Sequence, residues 1–456
     1  MVRNHVPLKT TMTHTPLATQ RVPKSTGGVR RPVFQCLPVC LALATWGSSA
    51  HATVDVALRL ETSLGHNSNL FRADSVSRPT DAAGTETTGS QVGPTTAPIT
   101  ATGTRDMNAT VGVSMPLGSD ATRLTLTSRL GHLTYNDAPS VTHSPSDHTA
   151  QLVWRMSDLV GGSVALGRSR AAYVFDDTYA NLDIVTRNWR SAVISLKATP
   201  SIEFPVQVGS STYSHADQQV HGRLDTDQTS TAVSALYRSP TGNTAQAGVS
   251  RINTRYPGRL RPDATGAFER DNDAFVELSW VHSVKTQASA RFTSRQRRFA
   301  DSDLGSRHLM LYRMSLSHIL SPMTRLEAQL WRQPIQTAEA ATAYGVSRGM
   351  GVGITHTPSP RTLLSVQVQK ESQTDELFPG VPLQAINNPE TTRMALRTRY
   401  ELTRGVNLFL EAAHEKRTRR VTQQASQNTW RVGLEYSYEN LPGASQRTQP
   451  PNPPVQ

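Results

Sequence analysis

Cysteine is nearly missing from this chain. Only Cys36 and Cys40 occur in 456 residues, both within a short apolar stretch near the start. Beyond that stretch neither a disulfide framework nor a thiolate metal site is available to hold the fold. Long hydrophobic runs are missing as well. None reaches the roughly 18 residues that a helical membrane span needs, and mean hydropathy is -0.42. Two catalytic signatures are absent: there is no H-E-x-x-H and no P-loop. His132, His148, His282, His318, His356 and His414 are scattered, without ligand spacing. We therefore expect no enzyme, no cofactor and no metal. Aromatic residues make up only 6%, a scarcity that weighs against a membrane barrel with aromatic girdles. Acidic residues are absent from positions 1–52, which hold six Lys/Arg; without that segment 41 basic residues face 35 acidic ones, a net +6 rather than +12. Those charges are dispersed, so nucleic acid is not an expected partner.

The first segment reads as an export signal. Arg21, Lys24, Arg30 and Arg31 approach an apolar stretch at 33–46, and Ala50-His51-Ala52 is a small-residue cleavage pattern. We expect a signal peptide over 1–52, with Met12 as an alternative start, and a mature chain from Thr53. Residues 441–456, rich in Pro and Gln, read as a disordered tail.

Between these ends one pattern repeats. In 54–64, Val54, Val56, Leu58, Leu60 and Leu64 share one face of an alternating segment, and Asp55, Arg59 and Glu61 share the other. Similar segments follow at 107–115, 122–135 and 147–156, and the last at 428–438. Short turns alternate with long polar loops: turns at 116–120, 199–201, 239–243 and 403–405, loops at 215–225, 257–270 and 373–390. Such alternation predicts an all-β transmembrane up-and-down antiparallel β-barrel over 53–440, with about 18 strands, short periplasmic turns and long extracellular loops. The expected location is the bacterial outer membrane, with outer-membrane lipid as a partner.

The segment GHNSNLFR (65–72), Gly242-Asn243-Thr244-Ala245 and Tyr256-Pro257-Gly258-Arg259 carry a resemblance. They are similar to landmarks of a family of outer-membrane β-barrels associated with exopolysaccharide biosynthesis operons, called EpsL-type. His66, Asn67 and Ser68 depart from the commoner Tyr-Asp-Asp of that family. The resemblance implies a pore or guide for polysaccharide export, working with periplasmic export machinery and without chemistry of its own. A general porin for small solutes and an outer-membrane hydrolase are the alternatives.

Two sets of candidate site residues follow from the alternation. Arg123 and Arg129, then Arg291, Arg295 and Arg297, then Arg393, Arg397 and Arg399 lie opposite apolar faces. Charge on the lipid face costs about 2–4 kcal/mol at mid-membrane, so these faces are expected to line the lumen. Glu277, Glu327, Glu371, Glu411 and Glu435 join them. The rows read either as a basic lumen favouring acidic glycans or as Arg–Glu pairs filling a plugged interior. The second set is Tyr135, Tyr173, Tyr213, Tyr256 and Phe299, each at the outer end of an upward strand. Their parity turns them inward, as a carbohydrate-contacting ring at the outer mouth. A bulge in each strand would instead place them in an interfacial girdle.

Overall fold

The computed structural model describes residues 54–70, 101–173, 182–218, 221–260, 266–299, 305–335, 342–377, 388–420 and 423–440. The expected signal peptide and the expected C-terminal tail lie outside these residues, as do most of the long loops. The strands are β1 Asp55–Asn67, β2 Thr102–Leu117, β3 Ser119–Tyr135, β4 Ser146–Arg155, β5 Val160–Ala172, β6 Ile184–Thr199, β7 Ile202–His215, β8 Thr226–Arg238 and β9 Thr244–Leu260. Then come β10 Gly266–Ser283, β11 Thr286–Phe299, β12 Ser306–Ser321, β13 Thr324–Ile335, β14 Thr342–Ser359, β15 Thr362–Leu377, β16 Glu390–Thr403, β17 Val406–Arg420 and β18 Gln423–Glu439.

Each strand pairs antiparallel with its sequence neighbours, and β1 pairs with β18, so the 18-stranded sheet closes on itself. Closure matters because an open edge would leave backbone N–H and C=O groups unsatisfied in hydrocarbon. Period-2 alternation then sorts every strand. On β1, Leu60 and Leu64 point outward and are 43% and 58% exposed, while Asp55 and Ser63 are buried inside. The same outward rows continue around the barrel; Ile354, Val366 and Leu396, for example, lie side by side on β14, β15 and β16. The interior holds most of the ion pairs. This is a water-soluble protein turned inside out, and an apolar outer band of this kind belongs in lipid.

Aromatics are few, yet several gather outward at the short-turn rim: Phe204, Tyr237, Trp280, Tyr400, Tyr436 and Tyr438. Amphipathic rings at that level suit a membrane interface. The 6% aromatic content is thus compatible with the barrel, because these rings sit where they anchor it.

Strands run longer than the alternation in the sequence suggests. β2 begins at Thr102, not near 107, and its ladder with β1 continues to Asn67↔Thr102. Above the apolar band the outward residues turn polar, so the hydropathy signal ends before the hydrogen bonding does. The turn expected over 116–120 shrinks to Gly118, with Leu117 paired to Ser119. Gly118 takes φ 73°, a left-handed conformation that a side chain would strain.

The GHNSNLFR segment has a structural task, because it locks the seam. Gly65 packs so closely against β18 that an added Cβ would lie 2.5 Å from the Trp430 carbonyl oxygen. Asn428 N–H donates to Ser68 Oγ at 2.8 Å, Gln427 Nε2 to Asn67 Oδ1 at 2.9 Å, and Asn69 Nδ2 to the Ser426 carbonyl at 3.1 Å. Leu70 is buried with Tyr135, Ala138 and Val141, the last within a 3-10 turn at Pro139–Val141. Phe71 and Arg72 lie outside the described residues. Replacing Gly65 by Val should therefore hinder closure. The expected result is loss of the compact, heat-sensitive band that a folded barrel gives on electrophoresis, and a full-strength band would refute the seam assignment.

Candidate functional site: the inner wall

Register places all eight candidate arginines on inward rows. Most of them spend their charge on carboxylates. Arg123 Nη1 meets Asp55 at 2.7 Å, Arg291 Nη1 meets Glu277 at 3.0 Å, Arg397 Nε meets Glu411 at 3.1 Å and Arg399 Nη1 meets Glu435 at 3.7 Å. Arg129 and Arg393 make no ion pair among the described residues, although Asp147 and Glu415 are their cross-strand neighbours. Around the seam, Arg431 joins Glu411 at 2.6 Å, Glu61 at 3.2 Å and Asp106 at 3.3 Å. Arg59 reaches Glu435 at 2.7 Å.

The densest group is a ladder between β10 and β11. Asp273 takes both Nε and Nη2 of Arg295 at 2.8 Å, and Asp271 takes both Nε and Nη2 of Arg297 at 2.8 Å. Arg295 Nη1 also reaches Asp271 at 3.0 Å, and Arg297 Nη1 reaches Glu269 at 3.6 Å. The two arginines are 9% and 8% exposed. Paired forks of this kind are among the strong charge-assisted hydrogen bonds.

The five outer aromatics also face inward, but they pack against protein. Tyr135 and Tyr256 are each 6% exposed. Tyr256 Oη donates to Glu269 at 3.2 Å. Tyr173 stacks edge-on against His215, with ring centroids 5.3 Å apart, and lies 4.9 Å from His221. Tyr213 lies under the Arg187 guanidinium at 5.1 Å, and Phe299 stacks on Tyr344 at 5.9 Å. A saccharide would reach Tyr135 or Tyr256 only after the covering residues moved.

A cavity of about 520 Å³ lies along the inner wall of β6 to β13. Its inward charged residues are Arg187, Arg291, Arg295 and Arg313 against Asp273 and Glu277. Two of those cations are neutralised, which leaves Arg187 and Arg313 in excess. Arg313 Nη2 donates to Gln333 at 2.7 Å and stands directly across from Arg291. Arg187 keeps a buried Nε without a hydrogen-bond partner, an unsatisfied donor of the kind that a ligand or water completes. Gln207, Gln228 and Gln246 supply amides to the same wall, and Trp189 and Phe275 supply rings.

The inner rings follow a rule that only register reveals. Trp189 stands across from Gly167, Phe275 from Gly248, Trp331 from Gly349 and Phe409 from Gly433. Each ring occupies the space that a glycine side chain would fill, a known device for packing a sheet at glycine. The rings therefore lie against the wall. Trp331 is fixed further by its Nε1–H, which donates to Ser347 Oγ at 3.2 Å, and Ser347 donates to Glu371 at 2.6 Å.

No protein-family model matches the chain, and no curated protein does. Among solved structures it is similar to the siderophore receptor PirA from Acinetobacter baumannii, with 8% identity, 84% of this chain and 80% of that one covered, and a TM-score of 0.42. It is also similar to OccK2 (OpdF) of Pseudomonas aeruginosa, solved in complex with glucuronate, with 10% identity, 85% and 98% covered, and a TM-score of 0.47. OpdK of the same organism, solved with vanillate, gives 9% identity, 85% and 99% covered, and a TM-score of 0.45. At these values the likeness says nothing of cargo, and any functional reading rests on the wall itself.

Proposed function

We propose that this protein is an outer-membrane channel for small anionic hydrophilic solutes, acidic saccharides foremost, and that it performs no chemistry of its own. One observation carries the reading: the inner cavity has two guanidiniums, Arg187 and Arg313, beyond those its carboxylates neutralise. In a low-dielectric tube such an excess focuses the field and raises the local concentration of anions. The glutamine amides suit hydroxyl groups, and Trp189 offers a flat face to the C–H side of a sugar ring.

The EpsL-type resemblance gives a second reading, in which the barrel guides an acidic exopolysaccharide outward. The same wall suits it. The resembling segments themselves speak for assembly more than for cargo: 65–70 locks the seam, and Asn243 Oδ1 accepts the Val281 N–H at 2.6 Å.

Ion selectivity in planar bilayers tests the proposal. The parent should prefer chloride to potassium. The double variant Arg187→Gln/Arg313→Gln leaves the ion pairs intact and should move the reversal potential toward cations. An unchanged potential would overturn the role of this excess charge, and a parent without conductance would overturn the channel.

A further inference from the structure

Several cationic side chains sit on the wrong face for a lumen. Arg251 and Arg255 on β9, Arg270 on β10, Arg298 on β11, Arg332 on β13 and Arg348 on β14 all fall on the outward rows, near the long-loop ends of their strands. Two pairs stand directly opposite each other across a hydrogen-bonded ladder, Arg270↔Arg298 and Arg332↔Arg348. Like charges in that relation are destabilising, and no carboxylate forms an ion pair with any of the four among the described residues. Their hydrogen bonds go to neutral groups instead. Arg270 Nε donates to Asn253 at 3.2 Å, Arg298 Nη2 to Gln296 at 3.5 Å, and Arg348 Nε to Ser372 at 2.9 Å. An anion supplied from outside the chain would relieve both pairs.

The surface beneath the first pair has a shape that suits one kind of anion. A groove of about 480 Å³ opens on the outer face of β8 to β12. Small side chains, Ala274 and Ser294, lie along it beside Val249. The next row toward the long loops is Arg251, Asn272, Gln296 and His308. The row beyond that holds Asn253, Arg270 and Arg298. Along one strand, successive outward residues are about 7 Å apart. From the groove upward the outer surface therefore passes from small and apolar side chains through amides to the guanidiniums of Arg270 and Arg298, which adjoin the groove, over roughly the depth of a lipid headgroup and the start of its chains.

We propose that this outward groove binds a phosphate-bearing lipid of the outer leaflet, its acyl chains over Val249, Ala274 and Ser294 and its phosphate between Arg270 and Arg298. Guanidinium forks match phosphate oxygens. A soluble phosphate could satisfy the arginines but not the apolar floor. The inference rests on the membrane placement of the outer band and is independent of what passes through the lumen.

The test uses the full chain in dodecylmaltoside micelles, titrated separately with bisphosphorylated lipid A, phosphatidylcholine and inorganic phosphate, with binding followed by native mass spectrometry. The parent should bind lipid A at least about tenfold more tightly than phosphatidylcholine, and added salt should erode that difference. Arg270→Gln/Arg298→Gln should lose about tenfold toward lipid A while its channel conductance stays as in the parent. Equal affinity for lipid A and phosphatidylcholine in the parent, or undiminished lipid A binding by the folded variant, overturns the proposal. Binding of inorganic phosphate as tight as that of lipid A overturns the lipid as the ligand. If the variant does not fold, the salt dependence on the parent decides: insensitivity to salt overturns the phosphate contact. A parent that binds lipid A but conducts nothing overturns the channel reading alone.

Discussion

Asp271→Asn should be among the most damaging single substitutions in the barrel, at about 3–5 kcal/mol, the range for breaking a buried ion pair and leaving its partner uncompensated. Asp271 is the hub of the β10–β11 ladder. It takes the Arg297 fork at 2.8 Å and also the Arg295 Nη1 at 3.0 Å. Its loss deprives two buried cations at once, and Glu269, at 3.6 Å from Arg297, is too distant to replace the fork without a shift. Asp273→Asn should cost less, because Arg295 keeps its contact with Asp271. Equilibrium unfolding by urea of the refolded barrel measures both. Equal costs for the two substitutions would mean that the ladder is two separate pairs. Replacing Asp273 and Arg295 together by Leu and Met should come out close to neutral, since a well-packed apolar pair often equals a buried ion pair in stability.

That ladder also marks where the sequence stops being legible. The barrel itself could be read because its side-chain period is two and its turns alternate short with long, and both signals are local. The arginine row on β11 was equally plain, with Arg291, Arg295 and Arg297 on one face opposite Ala290 and Phe292. Its partners were not. Asp271 and Asp273 sit in a stretch, Glu269 to Asp273, that is polar on both faces, because β10 there rises above the apolar band. The excess cations Arg187 and Arg313 were missed for another reason. Neither belongs to a row on its own strand, and they count only once the neighbouring carboxylates are known to be spent. Pairings such as Trp331 over Gly349 depend on register, which turns and loops of unknown geometry conceal. The outward arginines went unread because charge on an outer face was assigned to the lumen by default. That default holds inside the hydrocarbon and fails at its edge.

The boundary between these regimes can be measured one residue at a time. Val366 lies outward on β15, flanked across the ladders by Ile354 and Leu396, while Gln367 beside it faces the lumen. Val366→Arg should destabilise the barrel by about 2–4 kcal/mol, the cost of a guanidinium on the lipid face near mid-membrane. Gln367→Arg should change stability by no more than about 0.5 kcal/mol, as a substitution on a wetted wall does. Lys370, two outward positions above Val366, already sits at the outer edge, where the same charge costs about 0–1 kcal/mol. Unfolding of each variant from phospholipid vesicles supplies the numbers. A steep difference between these adjacent residues is the result expected when one face of the strand meets hydrocarbon and the other meets water. If both substitutions are tolerated alike, the outer band is not in contact with lipid, and a channel or a lipid site on this barrel loses its physical basis.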